Sequence, residues 1–125
     1  MNRLLVDTHA LLWWLADDPG LSPAARGALA DPTHEPLVST ASLWEIAVKR
    51  SLGKLEVPDD LPAQILADGF AWMSVEPAHA WAVRSLPLHH RDPFDRLLIA
   101  QAIVERLPVV TADARFAAYG VEACW

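Results

Sequence analysis

The sequence predicts a three-layer α/β/α fold built around a small parallel sheet of four or five strands. Short apolar runs, such as residues 4–6 and 109–111, alternate along the chain with segments whose apolar residues recur at helical spacing. These runs lack the alternation of apolar and polar residues that marks a half-exposed sheet, so we expect both faces to be buried. Strands that alternate with helices form parallel sheets covered by helices on both sides.

The strands are the apolar runs bounded by turn-forming or helical residues. We predict strands at residues 4–6, 36–39, 71–75 and 109–111, with a possible edge strand at 121–123 after the helix breaker Gly120.

The helices are predicted from apolar spacing and from their end signals. The first, 8–16, ends at an Asp-Asp-Pro-Gly turn, and the second, which reaches Ala30, opens with Ser22 and Pro23. Ser39 or Thr40 caps a third helix over 41–52, with Gly53 just past its end. The remaining helices are one capped by Asp59 or Asp60 and ending near Gly69, and those at 77–86, 92–107 and 114–118.

Length and composition favour one globular domain spanning residues 1–125. Hydrophobic residues make up 53% of the chain, which argues against disorder. The apolar residues are dispersed, and no run approaches the roughly 20 needed to span a bilayer, so no membrane partner is expected. Asp7 interrupts the start where a signal peptide would stay apolar, and Cys124 is the single cysteine. We therefore expect a cytoplasmic protein.

The net charge of −6 argues against a protein that grips nucleic acid with a basic face. The objection weakens if several acids are metal ligands, because four such carboxylates leave only −2 on the rest of the chain. Bound divalent ions would then attract phosphate.

Four acidic residues from distant segments are expected to meet at the carboxyl edge of the sheet, where ligands bind in such folds. Asp7 directly follows the first strand, and Asp113 lies two residues past the fourth. Glu45 lies in the second turn of the third helix, and Asp95 in the first turn of the helix before the fourth strand. Clustered carboxylates repel one another, and they bind Mg²⁺ or Mn²⁺, which activate water for attack on phosphorus. The pattern therefore suggests phosphodiester hydrolysis.

Each acid also has an ordinary structural interpretation. Asp7 and Asp113 can cap the helices that follow them, and Asp95 can serve as the first-turn acid of a capping box. Glu45 can pair with Lys49 four residues later. Glu45 is nevertheless the best single candidate, because it lies among large apolar residues where burying a charge is costly.

Four segments, in order, resemble the motifs of the PIN-domain family, and specifically its VapC-type toxins from type II toxin–antitoxin pairs. They are LLVDTHALLWWL, VSTASLWEIAVKRSLGKL, HRDPFDRLLIAQA and VVTADARF. The resemblance implies a Mg²⁺- or Mn²⁺-dependent endoribonuclease acting on cellular RNA. It also implies an antitoxin that covers the active site, often inserting a basic residue among the acids, and a tendency to form a homodimer.

The resemblance assigns Asp7, Glu45 and Asp95 as the main metal ligands, with Asp113 as a more variable fourth. Hydroxyl groups near these acids are candidates to orient them: Thr111, Thr8 and Ser42. Basic residues near the motifs are candidate phosphate contacts, although surface exposure alone explains them equally well: Arg91, Arg96, Lys49 and Arg50. A zinc site at His89 and His90 is rejected, because adjacent loop histidines are usually exposed and no cysteine accompanies them.

Three other classes of protein are alternatives to a PIN-domain nuclease. A receiver-like signalling domain needs a phosphorylated aspartate after a central strand and a lysine after a late one. Here no aspartate follows the second strand, and the only lysines, Lys49 and Lys54, lie far from the end of the chain. A phosphatase of the haloacid dehalogenase type needs a second aspartate where His9 stands. A PIN-like binding module that has lost catalysis is disfavoured by the presence of all four acids.

Overall fold

The computed structural model describes residues 2–125, which form a five-stranded parallel sheet covered by helices. The strands run in the spatial order β3-β2-β1-β4-β5. They are β1 (Asn2–Val6), β2 (His34–Ser39), β3 (Ala71–Met73), β4 (Val109–Val110) and β5 (Ala123–Cys124). The helices are α1 (Thr8–Leu15), α2 (Pro23–Ala30), α3 (Thr40–Ser51), α4 (Leu61–Ala67), α5 (Pro77–Ala82) and α6 (Pro93–Glu105).

Successive residues of the central strand β1 face opposite sides of the sheet. Leu4 and Val6 pack into an apolar cluster with residues of α1, α2 and α4. Leu5 packs into a second cluster with Leu98 and Ile99 of α6. Because helices bury each face, the inner residues of the strands, such as Leu4, Leu5 and Val6, are apolar, and the predicted three-layer α/β/α class is confirmed.

The register of the sheet brings the ends of β1 and β4 together. Leu5 pairs with Val109, and Val6 pairs with Val110. The backbone N–H of Asp7 then donates to the carbonyl of Val110, 3.1 Å away. The residues that follow these two strands therefore lie side by side at the carboxyl edge.

Most predicted elements begin and end within two residues of the observed ones. The largest differences are in short elements of the second half of the chain. The predicted helix 77–86 is divided into α5 and a 3₁₀ turn, Val83–Ser85, while 114–118 is replaced by a 3₁₀ turn at Ala117–Tyr119. The last strand lies at 123–124 rather than 121–123, because Ala123 is the residue that pairs with Val109.

No helix among residues 2–125 is long and apolar enough to cross a membrane.

Candidate active site

The four predicted acids line one open cavity at the carboxyl edge of the sheet. The cavity has a volume of about 780 Å³ and is lined by the residue after β1, by side chains of α1, α3 and α6, by the loop before α6 and by the segment after β4. Asp7, Glu45, Asp95 and Asp113 all belong to its lining. The structure therefore brings together all four residues that the sequence singled out.

Asp7 is both a helix cap and a member of the cavity. Its Oδ1 accepts the backbone N–H of Ala10 at 2.7 Å, as an N-cap residue does, and its Oδ2 accepts the hydroxyl of Thr111. Burial raises the pKa of the Asp7 carboxyl, although the hydrogen bonds from Thr111 and Ala10 act in the opposite direction. Capping and a place in the acidic site are thus compatible.

Glu45 is buried, with 3% of its surface exposed. The hydroxyl of Thr8 donates to its Oε1 at 2.8 Å, and the hydroxyl oxygens of Thr8 and Ser42 lie 3.0 Å apart. Lys49 donates to Oε2 from one helical turn later, and this hydrogen bond raises the pKa of the lysine. The predicted Glu45–Lys49 pair therefore exists, but it lies in the cavity wall rather than on an open surface.

Asp95 carries the clearest sign of crowded negative charge. Burial and repulsion from Asp92 raise its pKa to about 6. The charges of Glu45 and Asp7 raise it further, while His90 opposes the change. Asp92 itself caps α6, where its Oδ1 accepts the backbone N–H groups of Phe94 and Asp95.

Two side chains, those of Arg115 and His90, contact the carboxylate of Asp113. The guanidinium of Arg115 donates to both carboxylate oxygens at 2.9 Å, and its backbone N–H also donates. Burial raises the pKa of Asp113, but these contacts with Arg115 outweigh it and hold the pKa below its usual value. The second neighbour, His90, places Nε2 3.0 Å from Oδ2.

Of the three predicted orienting hydroxyl groups, those of Thr111 and Thr8 donate to acids of the site, and that of Ser42 contacts Thr8. Thr111 accepts the backbone N–H of Asp113 at 3.0 Å while it donates to Asp7, so it joins two of the acids. Thr8 contacts both Glu45 and Ser42. These hydrogen bonds fix the directions of two carboxylates, those of Asp7 and Glu45.

The four predicted phosphate contacts divide into two groups. Lys49 and Arg91 line the cavity. Arg96 points elsewhere, because its guanidinium donates to the backbone carbonyls of residues 83, 86, 87 and 90. Arg50 pairs with Asp59 at 2.6 Å and is not part of the cavity lining.

Two residues of the site escaped the sequence analysis. His90 was expected to be exposed, yet only 3% of its surface is accessible, because its loop folds against Phe116 and Tyr119. Arg115 received no role. The local sequence offers one signal for its bidentate hydrogen bond to Asp113, namely its position two residues later in a polar turn.

The donor set of the cavity suits a hard divalent cation. Carboxylate oxygens are the ligands that Mg²⁺ and Mn²⁺ prefer. The raised pKa values of Asp7 and Asp95 indicate that burial and mutual repulsion disfavour the ionised acids, and a bound cation would relieve both effects. The residues present therefore fit such an ion.

Comparison of the sequence with known proteins identifies its family. A sequence model of the PIN domain matches residues 4–122. Ribonuclease VapC22 of Mycobacterium tuberculosis is 32% identical over 118 residues, which cover 92% of this chain and 90% of that protein.

Two solved structures share the fold. One is VapBC2 from Rickettsia felis bound to a DNA fragment from its promoter, with a TM-score of 0.72, 13% identity, and coverage of 98% of this chain and 99% of that one. The other is DNA-bound VapBC from Salmonella typhimurium, with a TM-score of 0.66, 17% identity, and coverage of 98% and 97%. The match of the domain model over nearly the whole chain confirms the resemblance seen in the four motifs: this chain belongs to the PIN-domain family.

Proposed function

We propose that this protein is a Mg²⁺- or Mn²⁺-dependent endoribonuclease and the toxin of a type II toxin–antitoxin pair. The observation that carries the proposal is the set of four carboxylates lining one cavity at the carboxyl edge of a PIN-domain sheet. The relative of 32% identity, a ribonuclease VapC, supports RNA as the substrate.

Asp7, Glu45 and Asp95 would hold the cation, directly or through water, and Asp113 would hold a second ion or a metal-bound water. A divalent ion there supplies a water of lowered pKa and a positive charge beside the leaving oxygen. Thr111 and Thr8 keep the carboxylates of Asp7 and Glu45 aimed into the cavity. These side chains thus set where the scissile phosphate can approach.

The basic residues of the cavity would attract the RNA backbone. Lys49 and Arg91 stand in the cavity lining, and Arg115 adds an exposed guanidinium beside Asp113. Their charge partly offsets the acidity of the cavity, which would otherwise repel phosphate. Arg96 and Arg50 are not included, since the first binds carbonyls and the second pairs with Asp59.

The proposed partners follow from the family and from the site. The structural neighbours are complexes of a VapC-type chain with its partner, which supports a cognate antitoxin for this chain. An antitoxin that inserts a basic side chain would find Asp95 and Asp7 ready to pair with it. A homodimer and a cytoplasmic location, where cellular RNA is available, complete the proposal.

The decisive experiment is RNA cleavage by the purified protein and by Asp7→Asn, with Mn²⁺, Mg²⁺ or EDTA. Asparagine caps a helix as well as aspartate does, so the variant keeps the hydrogen bond to Ala10 but loses a ligand charge. We expect cleavage to fall by at least about 100-fold, since loss of a hydrogen-bond partner of a ligand alone costs 10- to 100-fold.

The matched control is Asp60→Asn, which changes an exposed acid directly before α4 whose carboxylate accepts the side-chain amide of Gln64. This variant should cleave as the wild type does, and circular dichroism should show both variants folded. Full activity of Asp7→Asn would refute the site. A wild-type protein that binds RNA but cleaves none under any metal would identify a binding module instead.

A further inference from the structure

His90 is held in the acidic cavity from several sides. Its backbone N–H contacts the hydroxyl of Tyr119 at 2.8 Å, and its carbonyl accepts a guanidinium N–H of Arg96 at 3.1 Å. Its ring meets the edge of Phe116 at a centroid distance of 6.2 Å. A side chain fixed in this way cannot turn freely into solvent.

The far nitrogen of the ring faces two of the acids. Nε2 lies 3.0 Å from Oδ2 of Asp113, in hydrogen-bonding geometry, and 3.0 Å from Oδ2 of Asp95. The three side chains together present ligand-type atoms within 4.8 Å of one another, so His90 is close enough to be taken for a metal ligand.

The hydrogen bond of the other ring nitrogen, Nδ1, argues against a role for His90 as a metal ligand. Nδ1 accepts the backbone N–H of Asp92 at 3.2 Å. A neutral imidazole whose Nδ1 accepts must carry its proton on Nε2. A ligating histidine needs the reverse, a free lone pair on the ligating nitrogen and an N–H on the other that meets an acceptor.

We propose that His90 is a positioning residue of the metal centre and not a ligand: its Nε2–H donates to Asp113 and abuts Asp95. The inference rests on the metal-dependent nuclease proposed above. The N–H group sets the direction of the Asp113 carboxylate and places a positive dipole between two carboxylates that would otherwise repel each other. It thereby keeps both acids in place for the cation.

The first test is Mn²⁺ binding measured by calorimetry without RNA, on His90→Leu, His90→Gln and His34→Leu. Leucine removes the donor, whereas the glutamine amide places an N–H near the same position. We expect affinity to fall about 10- to 100-fold in His90→Leu and to recover most of the way in His90→Gln. His34→Leu changes a histidine that lies outside the cavity lining and should bind Mn²⁺ as the wild type does.

The second test reads the protonated ring nitrogen of the wild type directly and does not depend on the Mn²⁺ affinity of any variant. Proton–nitrogen NMR of the Mg²⁺-loaded wild type at pH 8 should show the His90 proton on Nε2. The chain has five histidines, and the signals of His90 are those absent from His90→Gln. A proton on Nδ1 in the loaded protein would identify a ligand and overturn the proposal.

The remaining outcomes separate the two proposals. Unchanged or tighter Mn²⁺ binding by a folded His90→Leu would overturn the positioning role, yet leave the nuclease standing. Absence of Mn²⁺ and Mg²⁺ binding by the wild type would overturn both.

Discussion

At the scale of single residues, small hydroxyl groups set the directions of the acidic side chains. Thr111 joins Asp7 and Asp113 because its oxygen donates to the first and accepts from the backbone of the second. Thr8, which directly follows Asp7 at the start of α1, donates to Glu45. Two threonines thus connect acids that come from distant parts of the chain.

Replacing Thr111 with valine should damage the site more than the fold. The variant keeps the side-chain shape but removes the donor to Asp7 and the acceptor of the Asp113 N–H. We expect Mn²⁺ affinity and RNA cleavage to fall about 10-fold or more, with about 1–3 kcal/mol lost from the free energy of unfolding. Calorimetry, cleavage rates and urea unfolding measure the three effects.

Thr40→Val is the matched control, since the Thr40 hydroxyl accepts the backbone N–H of Val75 outside the cavity lining. It should reduce stability by a similar amount and leave metal affinity unchanged. Equal metal affinity in the two variants would show that Thr111 does not orient the site.

The ease of prediction differed among the residues of the site. Asp7 and Asp113 follow buried strands, so the rule that ligands meet at the carboxyl edge was enough to place them. His90 was missed because its burial depends on Tyr119 and Phe116, which are more than 25 residues away in the chain. Local sequence carries little information about contacts of that kind.

At the scale of elements, the loop between α5 and α6 is bound to α6 by one arginine. The guanidinium of Arg96 donates to four carbonyls of residues 83–90, and the hydroxyl of Tyr119 donates to the carbonyl of Pro87 at 2.6 Å. Backbone carbonyls need partners once they are buried. The loop that carries His90 therefore owes its conformation to a residue first considered as a phosphate contact.

Arg96→Met should weaken this loop while preserving most of the apolar stem of the side chain. We expect a loss of about 2–4 kcal/mol in the free energy of unfolding, because several carbonyls lose a charged donor. Hydrogen exchange measured by mass spectrometry should increase in residues 86–92 more than in β1.

The comparison variant for that experiment is Arg91→Met, at an exposed position in the cavity lining. It should leave stability within about 0.5 kcal/mol of the wild type and weaken RNA binding instead. Equal destabilisation by both changes would contradict the role given to Arg96.

The elements themselves were predictable where their signals were strong. Asp92 and Pro93 predicted the start of α6, and the structure begins the helix there with Asp92 as its cap. The 3₁₀ turns at Val83–Ser85 and Ala117–Tyr119 had no comparable signal. Such short turns depend on the loop contacts around them more than on their own sequence.

At the scale of the whole molecule, part of the acidity of the chain has a proposed function. The net charge is −6, and four carboxylates share one cavity. Keeping these carboxylates ionised without a cation costs free energy, and the raised pKa of Asp95 is a consequence of that cost. Metal binding and folding are therefore expected to be coupled.

The pH dependence of that coupling follows from the sign of the Asp95 shift. The pKa of Asp95 is about 6 in the folded protein, whereas an unperturbed aspartate, as in the unfolded chain, has a pKa of 3.8. Because the folded protein holds this proton more tightly, the contribution of Asp95 to stability is fully present below pH 3.8 and is lost as the pH rises through about 6. Mn²⁺ should restore stability at neutral pH, where the acid is ionised.

We therefore expect Mn²⁺ to raise the free energy of unfolding at pH 7.5, by about 2.7 kcal/mol when it is present at 100 times its dissociation constant. The same concentration should stabilise the protein much less at pH 5, because protons already neutralise Asp95 and compete with the metal. Thermal unfolding with Mn²⁺ or EDTA at both values measures the difference.

In Asp95→Asn the increment at pH 7.5 should shrink, since the variant lacks both the repulsion and the ligand charge. Equal increments at the two pH values in the wild type would contradict a cation bound among these acids.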